Sequence, residues 1–371
     1  MKTSKYFSDN IILLFAACVI LSFLSQLLKA TIVVNIIYVF SMLMVFLCYV
    51  LSERIDKIIV LLILLVGLSA IVRGFVVNSD FFTHIVITIC IFICIDVSAS
   101  VKISYATYKT IAKLFLWTTL ITLVLYYLGP LRRSYFKWTD SICLNFPNPN
   151  AAGLWLTCIF VLLFYSSFLF TRGKRLLYMA AALGLLPIVI ATKSRNSFFA
   201  CLLFVLCLVL IKVFKVQKVP NWVLAVVACL PLIVFFFYTL VIVKNMAFWE
   251  DLLTWISFDK SVDSREAMWL RVLRNFGNCF LVGNYQRYYN SQMHNSLITI
   301  FCRFGAPVTA LVCVLLYRVL KNLQENSSLY AALSLGTILF TGCFEASVFV
   351  GIAGMYLMLL LIPACASAER E

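Results

Sequence analysis

Only two histidines occur in the 371 residues of this chain, and one of them, His294, stands with Asn295 where a long polar segment gives way to an apolar run. An imidazole at the mouth of a helix meets the positive end of the peptide dipoles, which disfavours its charged form. Kept neutral, it can accept a proton and act as a general base. A second polar cluster, Thr192-Lys-Ser-Arg-Asn-Ser197, opens another apolar run. A helix N-terminus repels Lys193 and Arg195 unless an anion lies between them, so this cluster reads as a phosphate or carboxylate site.

Two more clusters belong with these. Residues 263–274 combine a capping box, Asp263 with Glu266, and an apolar stripe of Met268, Trp269, Val272, Leu273 and Phe276. In this expected amphipathic helix Arg265 stands four residues before Trp269, so it projects from the apolar side and needs an anionic partner. The fourth cluster is Phe146-Pro-Asn-Pro-Asn150, where the prolines stop any earlier helical turn and Asn150 is the expected N-cap. Arg132, Arg133 and Arg271 add cations to the same polar segments. Taken singly, each cluster also has an ordinary structural reading: a cap, an interfacial anchor, a solvated arginine, a buried histidine.

The elements that must position these residues are membrane helices. The chain is 64% hydrophobic and 12% charged, with a mean hydropathy of +1.03, which excludes a soluble globular protein of ordinary make-up. It reads as a single all-α membrane domain over 1–371. A spanning helix needs roughly 20 apolar residues. Such windows recur at 11–28, 31–51, 58–72, 81–99, 110–128, 151–171, 176–192, 197–211, 222–243, 295–317, 329–344 and 346–365. About twelve spans are expected, or ten to eleven because some windows are short. The first window, after Lys2 and Lys5, starts like a signal peptide but is expected to be retained as a span.

Lys and Arg concentrate in alternate connections, which puts the N-terminus inside and the segments 130–150 and 244–294 outside. The net charge of +15 is therefore topogenic and does not point to nucleic acid. Most of the 14 cysteines fall in apolar runs as small hydrophobes; Cys143 and Cys279, both in outer segments, are the one pair open to a disulfide. The remaining histidine, His84, reads as a core residue. Scattered acidic residues give no spacing for a metal, so none is expected, and no other cofactor is.

On this topology all four clusters lie on one face. Two arginines and a neutral histidine suit chemistry on a polyprenyl pyrophosphate: the arginines hold the pyrophosphate as it leaves, and the histidine takes the proton from an attacking sugar hydroxyl. A transporter or flippase of a lipid-linked or anionic substrate is the rival reading, and it predicts cations along a central path, where only Lys113 and Arg303 lie within spans.

The same residues resemble the O-antigen ligase and O-antigen polymerase superfamily. Thr192-Lys-Ser-Arg195 is similar to its T-x-S-R element, Ser264-Arg265 before Trp269 to its loop arginine, and His294-Asn295, nine residues, then Gly305 to its H-N-x9-G motif. Gly277 and Gly283 stand where the family's loop has glycines, although the family's proline is absent, and Val308 departs from the Gly, Thr or Tyr usual in ligases. The resemblance implies a GT-C-like, metal-independent, inverting glycosyltransferase of the bacterial inner membrane, working on undecaprenyl-pyrophosphate-linked glycan at the periplasmic face among membrane lipids. A polysaccharide chain-length regulator is a candidate partner. Polymerisation of repeat units is the leading expectation, and ligation of the polymer to lipid A core is the alternative.

By this carry-over Arg195 and Arg265 bind pyrophosphate and His294 activates the acceptor. Lys193, Asn295, Arg132, Arg133, Asn150 and Arg271 are candidate binding residues. Glu345 matches an acidic position of many members; an intramembrane carboxylate is functional by default, and this one would pair with Arg303 or Lys193 or replace His294 as base. Tyr135, Trp138, Trp249, Trp255, Tyr285, Tyr288 and Tyr289 are available to stack on sugars or to sit in the interfacial belt.

Overall fold

A computed structural model of the chain describes residues 9–51, 56–74, 79–100, 103–135, 140–167, 170–242, 263–284, 293–326, 329–350 and 361. Among the described residues the protein is all-α, with one isolated bridge between Tyr135 and Ile142. The main helices are α1 (Asp9–Leu27), α2 (Thr31–Val50), α3 (Lys57–Gly74), α4 (Ser79–Ser100), α5 (Tyr105–Tyr127), α6 (Pro149–Ser167), α7 (Arg172–Ala191), α8 (Arg195–Val213), α9 (Asn221–Ala228), α10 (Leu230–Phe237), α11 (Asp263–Arg274), α12 (Ser296–Asn326) and α13 (Leu329–Thr341). Among the described residues, seven helices are long and apolar enough to cross a membrane, eight if a bent pair is one span, and three shorter apolar helices accompany them.

Each of the first eleven apolar windows corresponds to a helix or a broken pair of helices. The twelfth, 346–365, lies mostly outside the described residues, which include only Ser347–Val350 and residue 361 of it as helix. Helix α6 is the central pole: every residue from Ala152 to Ser167 is buried, as expected of a helix that is apolar all round and packed on all sides. It packs against α5, α7 and α8, whereas α12 packs against α3, α4, α9 and α13. Helix α2 buries only Val34, Ser41, Val45 and Tyr49 and turns the rest of its apolar surface outward, as a lipid-facing helix does.

Polar contacts pin one end of this bundle. Arg318 of α12 forms a two-armed ion pair with Asp56 ahead of α3, at 3.0 and 3.3 Å, and the Gln324 amide bonds both the N–H and the carbonyl of Val219. Because α3, α9 and α13 start at this end and α8 and α12 finish there, the starts of α6, α8 and α12 fall toward the other. The polar clusters are therefore gathered by the alternation of the helices.

Two breaks in the helices build the site. The window 222–243 is not one straight span: α9 and α10 meet at 66° around Cys229, with Pro231 in the first turn of α10, where its missing N–H costs nothing. In α12 the helix kinks at Gly305, whose φ of 88° and ψ of 178° lie outside the helical range. Pro307 contributes to this break, since it has no N–H for the Arg303 carbonyl four residues back. Ser69 of α3 shares its hydroxyl proton between the carbonyls of Val282 and, at 3.4 Å, Arg303. The segment Phe280–Asn284 lies in the break: Ala306 N–H donates to the Phe280 carbonyl and Asn284 N–H to the Cys302 carbonyl, each at 2.7 Å.

Candidate functional site

The turn that follows α13, Thr341 to Glu345, joins the polar helix starts. Its carbonyls receive donors from two of them: the Asn196 amide in the first turn of α8 donates to Thr341 at 2.6 Å, and at the start of α12 Ser296 N–H donates to Gly342 at 2.8 Å. The Asn295 side chain donates to Cys343 at 3.0 Å and to Pro231 of α10 at 2.7 Å. Its oxygen accepts the Ile298 N–H at 3.0 Å, which makes Asn295 the N-cap of α12. Ser296 also reaches the Glu345 carbonyl through its hydroxyl. Asn295 is fully buried and its amide is spent within the protein, so it acts as a cap and a cross-link between α10, α12 and the turn.

That accounting gives a stability prediction. Asn295→Ala leaves two carbonyls and one helical N–H without this partner, and each buried polar group stripped in this way costs about 1–3 kcal/mol. The detergent-solubilised variant should unfold at a clearly lower temperature than wild type; an unchanged midpoint would show that water replaces the amide.

His294 precedes this cap, is half-buried, and has a left-handed backbone with φ of 47°, a region that residues other than glycine and asparagine seldom adopt. The carbonyl of its neighbour Met293 accepts the indole N–H of Trp269 at 2.7 Å. Trp269 and Val272 of α11 are buried, as the amphipathic stripe predicts, so α11 packs on the bundle. The Trp269 ring sits among Phe235 and Tyr238, with centroids at 5.4 and 5.2 Å, and stacks over Phe344 of the turn at 6.4 Å. The third cluster is thus seated beside His294. Backbone residue 265 lies in the first turn of α11, one turn before Trp269; the side chains of Asp263, Arg265 and Glu266 lie outside the described residues, as does that of His84. Arg271 is exposed, away from the buried stripe.

At the start of α8 the two cations part company. Lys193, with φ of 54°, turns to form a surface ion pair with Asp140. The hydrogen bond from its ammonium pulls the Asp140 carboxyl below its usual range. Lys193 therefore does not pair with Glu345. Arg195, the first residue of the helix, is exposed and available to an anion. Ser194 and Ser197 bond to each other at 2.8 Å, and the Ser197 carbonyl lies 3.3 Å from the Thr157 hydroxyl of α6, which brings α6, at whose start the fourth cluster lies, against the second cluster.

The expected cap Asn150 requires correction: α6 starts two residues earlier, Pro149 takes the first helical position, and Asn148 caps by accepting the Ala151 N–H at 2.8 Å. Asn150 is half-buried within the first turn. Arg132 and Arg133 are exposed in a short 3-10 turn, Pro130–Arg133, whose loop is tied to the end of α7 by Ile142 N–H to the Ala191 carbonyl at 3.0 Å. Tyr135 is exposed there; Trp138, Trp249, Trp255, Tyr285, Tyr288 and Tyr289 lie outside the described residues.

Glu345 is buried, and its carboxylate accepts the Ala346 N–H at 3.2 Å. Arg303 is buried at the break in α12, while Lys113 is exposed on the outer surface of α5. Cys143 and Cys279 do not form a disulfide with each other: Cys143 donates to the Ser134 carbonyl, and the thiol of Cys279 lies against Cys302. Among the described residues no three His, Cys, Asp or Glu side chains gather as metal ligands.

Sequence reasoning missed Asp140, Asn148, Ser296 and Ser69. Pro149 is a signal for the Asn148 cap; Ser69 and Asp140 reach partners far along the chain, and nothing local marks them.

Fold and helix composition define an all-α, membrane-spanning protein. In comparisons with known proteins, no family model and no curated sequence matches the chain.

Proposed function

We propose that the protein is a membrane glycosyltransferase that polymerises undecaprenyl-pyrophosphate-linked oligosaccharide repeat units into O-antigen or a related surface polysaccharide. The observation that carries this reading is the meeting of the starts of α8 and α12 and of Trp269 from α11 at the turn Thr341 to Glu345, with α6 packed against the start of α8, and with exposed Arg195, half-buried His294 and the α11 helix bearing Arg265 among them. One cationic and one basic function at a common end of an apolar bundle suits a substrate whose lipid tail lies in the bilayer and whose pyrophosphate lies at its surface.

In the proposed reaction the hydroxyl of the acceptor sugar attacks the anomeric carbon of the donor glycan from the side opposite the pyrophosphate. The new C–O bond forms as the bond to pyrophosphate breaks, with inversion. His294 takes the hydroxyl proton, and Arg195 and Arg265 neutralise the departing undecaprenyl pyrophosphate. Glu345, close to the start of α12, is the alternative proton acceptor. A bacterial inner-membrane location with the site toward the periplasm, and a GT-C-like arrangement of the spans, go with this reading.

Purified protein given lipid-linked repeat units alone should produce a ladder of lengthened glycans. Transfer only when lipid A core is added would make the protein the ligase. Movement of labelled lipid-linked units across vesicles without any new glycosidic bond would favour transport, although exposed Lys113 does not line a central path.

A further inference from the structure

We propose that Ser69, Gly283 and Gly305 form a clasp that locks the end of the long loop into the break of α12, and that they are positioning residues for His294 and α11. The inference rests on the reading of His294 and α11 as one site.

The segments Phe280–Asn284 and Cys302–Ala306 run against each other at main-chain distance. Two hydrogen bonds of 2.7 Å cross between them, in opposite senses, and a third, from Gly283 N–H to the Cys279 carbonyl at 3.0 Å, turns the loop into the break. Glycine is required on both sides. A Cβ on Gly283 would lie 2.3 Å from the Arg303 carbonyl oxygen, and one on Gly305 would lie 2.5 Å from the Leu281 carbonyl oxygen and 2.9 Å from the Gly283 nitrogen. The obstacles are backbone atoms, so no change of rotamer relieves them. Both glycines also have positive φ, 68° and 88°, which side-chain-bearing residues adopt at a cost. Ser69, itself 1% exposed, closes the clasp from α3 through a hydroxyl that bonds the loop at Val282 and the helix at Arg303.

The clasp is connected to the site along two routes. Toward the N-terminus, Phe280 follows directly on the short helix Phe276–Cys279 and α11; the Phe276 ring stacks on Phe301 of α12 with centroids 4.6 Å apart. Toward His294, the first half of α12 is buried from Ser296 through Phe304 and capped by Asn295. A rigid buried helix thus runs from the break to the residue after His294. If the clasp opens, α11 and the start of α12 lose their common reference, and Arg265 moves relative to His294.

Cys279 and Cys302, both buried beside the clasp, report its opening, and buried Cys158 and Cys201 in α6 and α8 report the rest of the bundle. Reaction with N-ethylmaleimide, read peptide by peptide in the mass spectrometer, follows local opening. Gly283→Ala and Ser69→Ala should each raise labelling of Cys279 and Cys302 at least about tenfold, with Cys158 and Cys201 still protected. Ser69→Thr, which keeps the hydroxyl, should restore protection.

In the transfer assay Ser69→Ala should lower kcat with little change in KM, because the lipid tail and Arg195 still hold the donor, and Ser69→Thr should recover kcat. Wild-type labelling in both Gly283→Ala and Ser69→Ala overturns the clasp. Increased labelling with an unchanged kcat overturns the positioning role. A wild-type protein without transferase activity would remove the functional reading, and the labelling would then decide the clasp on its own.

Discussion

His294→Asn is expected to slow glycan transfer by about 10²- to 10⁴-fold, the usual contribution of a positioned general base. Asparagine is the informative replacement because the backbone at 294 is left-handed, with φ of 47°. Asparagine tolerates that region better than most residues, whereas alanine adds strain to whatever the lost imidazole costs. The asparagine variant should therefore remain in the membrane with a near-wild-type unfolding temperature, and its loss of rate can be assigned to chemistry. Backbone strain of this kind costs of order 1–3 kcal/mol and persists only where the surroundings enforce it. Here the Met293 carbonyl is held by Trp269 and the following Asn295 is locked by three hydrogen bonds. Full activity in the folded His294→Asn protein would exclude the base assignment and leave Glu345→Gln as the next variant to measure.

Much of this architecture was legible in the sequence, for particular reasons. Apolar windows set the helices because a membrane span has a required length, and the stripe from Met268 to Phe276 set the buried face of α11 because helical periodicity does. The break at α12 was half-legible: Gly305 and Pro307 both disfavour a continuous helix, but only the fold brings Ser69 and the Phe280–Asn284 segment into it. The roles of Asn295 and Lys193 were not legible. Asn295 read as a polar group at a pocket because its type and position suit either a ligand or a cap, and the choice depends on carbonyls from Pro231 and Cys343, distant in sequence. Lys193 and Arg195 read as a pair of cations sharing one anion; Asp140 already satisfies one of them. Cys143 and Cys279 share a compartment in the sequence reading, yet compartment says nothing of distance, and Cys279 meets Cys302 instead.

The separation of Lys193 from Arg195 sets up the second large expected effect. Arg195 is the exposed cation at the first turn of α8, where the helix end adds its own attraction for an anion. Arg195→Ala should lower the transfer rate by about 10²- to 10³-fold, as loss of a group that stabilises developing charge does. Lys193→Ala should cost less than about threefold, since its ammonium serves an exposed ion pair with Asp140, and such pairs contribute little. Arg195→Lys should recover only part of the rate, because an ammonium lacks the planar two-pronged donor that matches a phosphate. Arg265→Ala should resemble Arg195→Ala. If both arginines grip one leaving pyrophosphate, the double variant loses less than the product of the single losses, with a coupling of about 0.5–3 kcal/mol in a double-mutant cycle. Independent, multiplicative losses would mean that the two act on different groups, and a Lys193→Ala loss as large as that of Arg195→Ala would mean that the Asp140 pair opens when substrate binds.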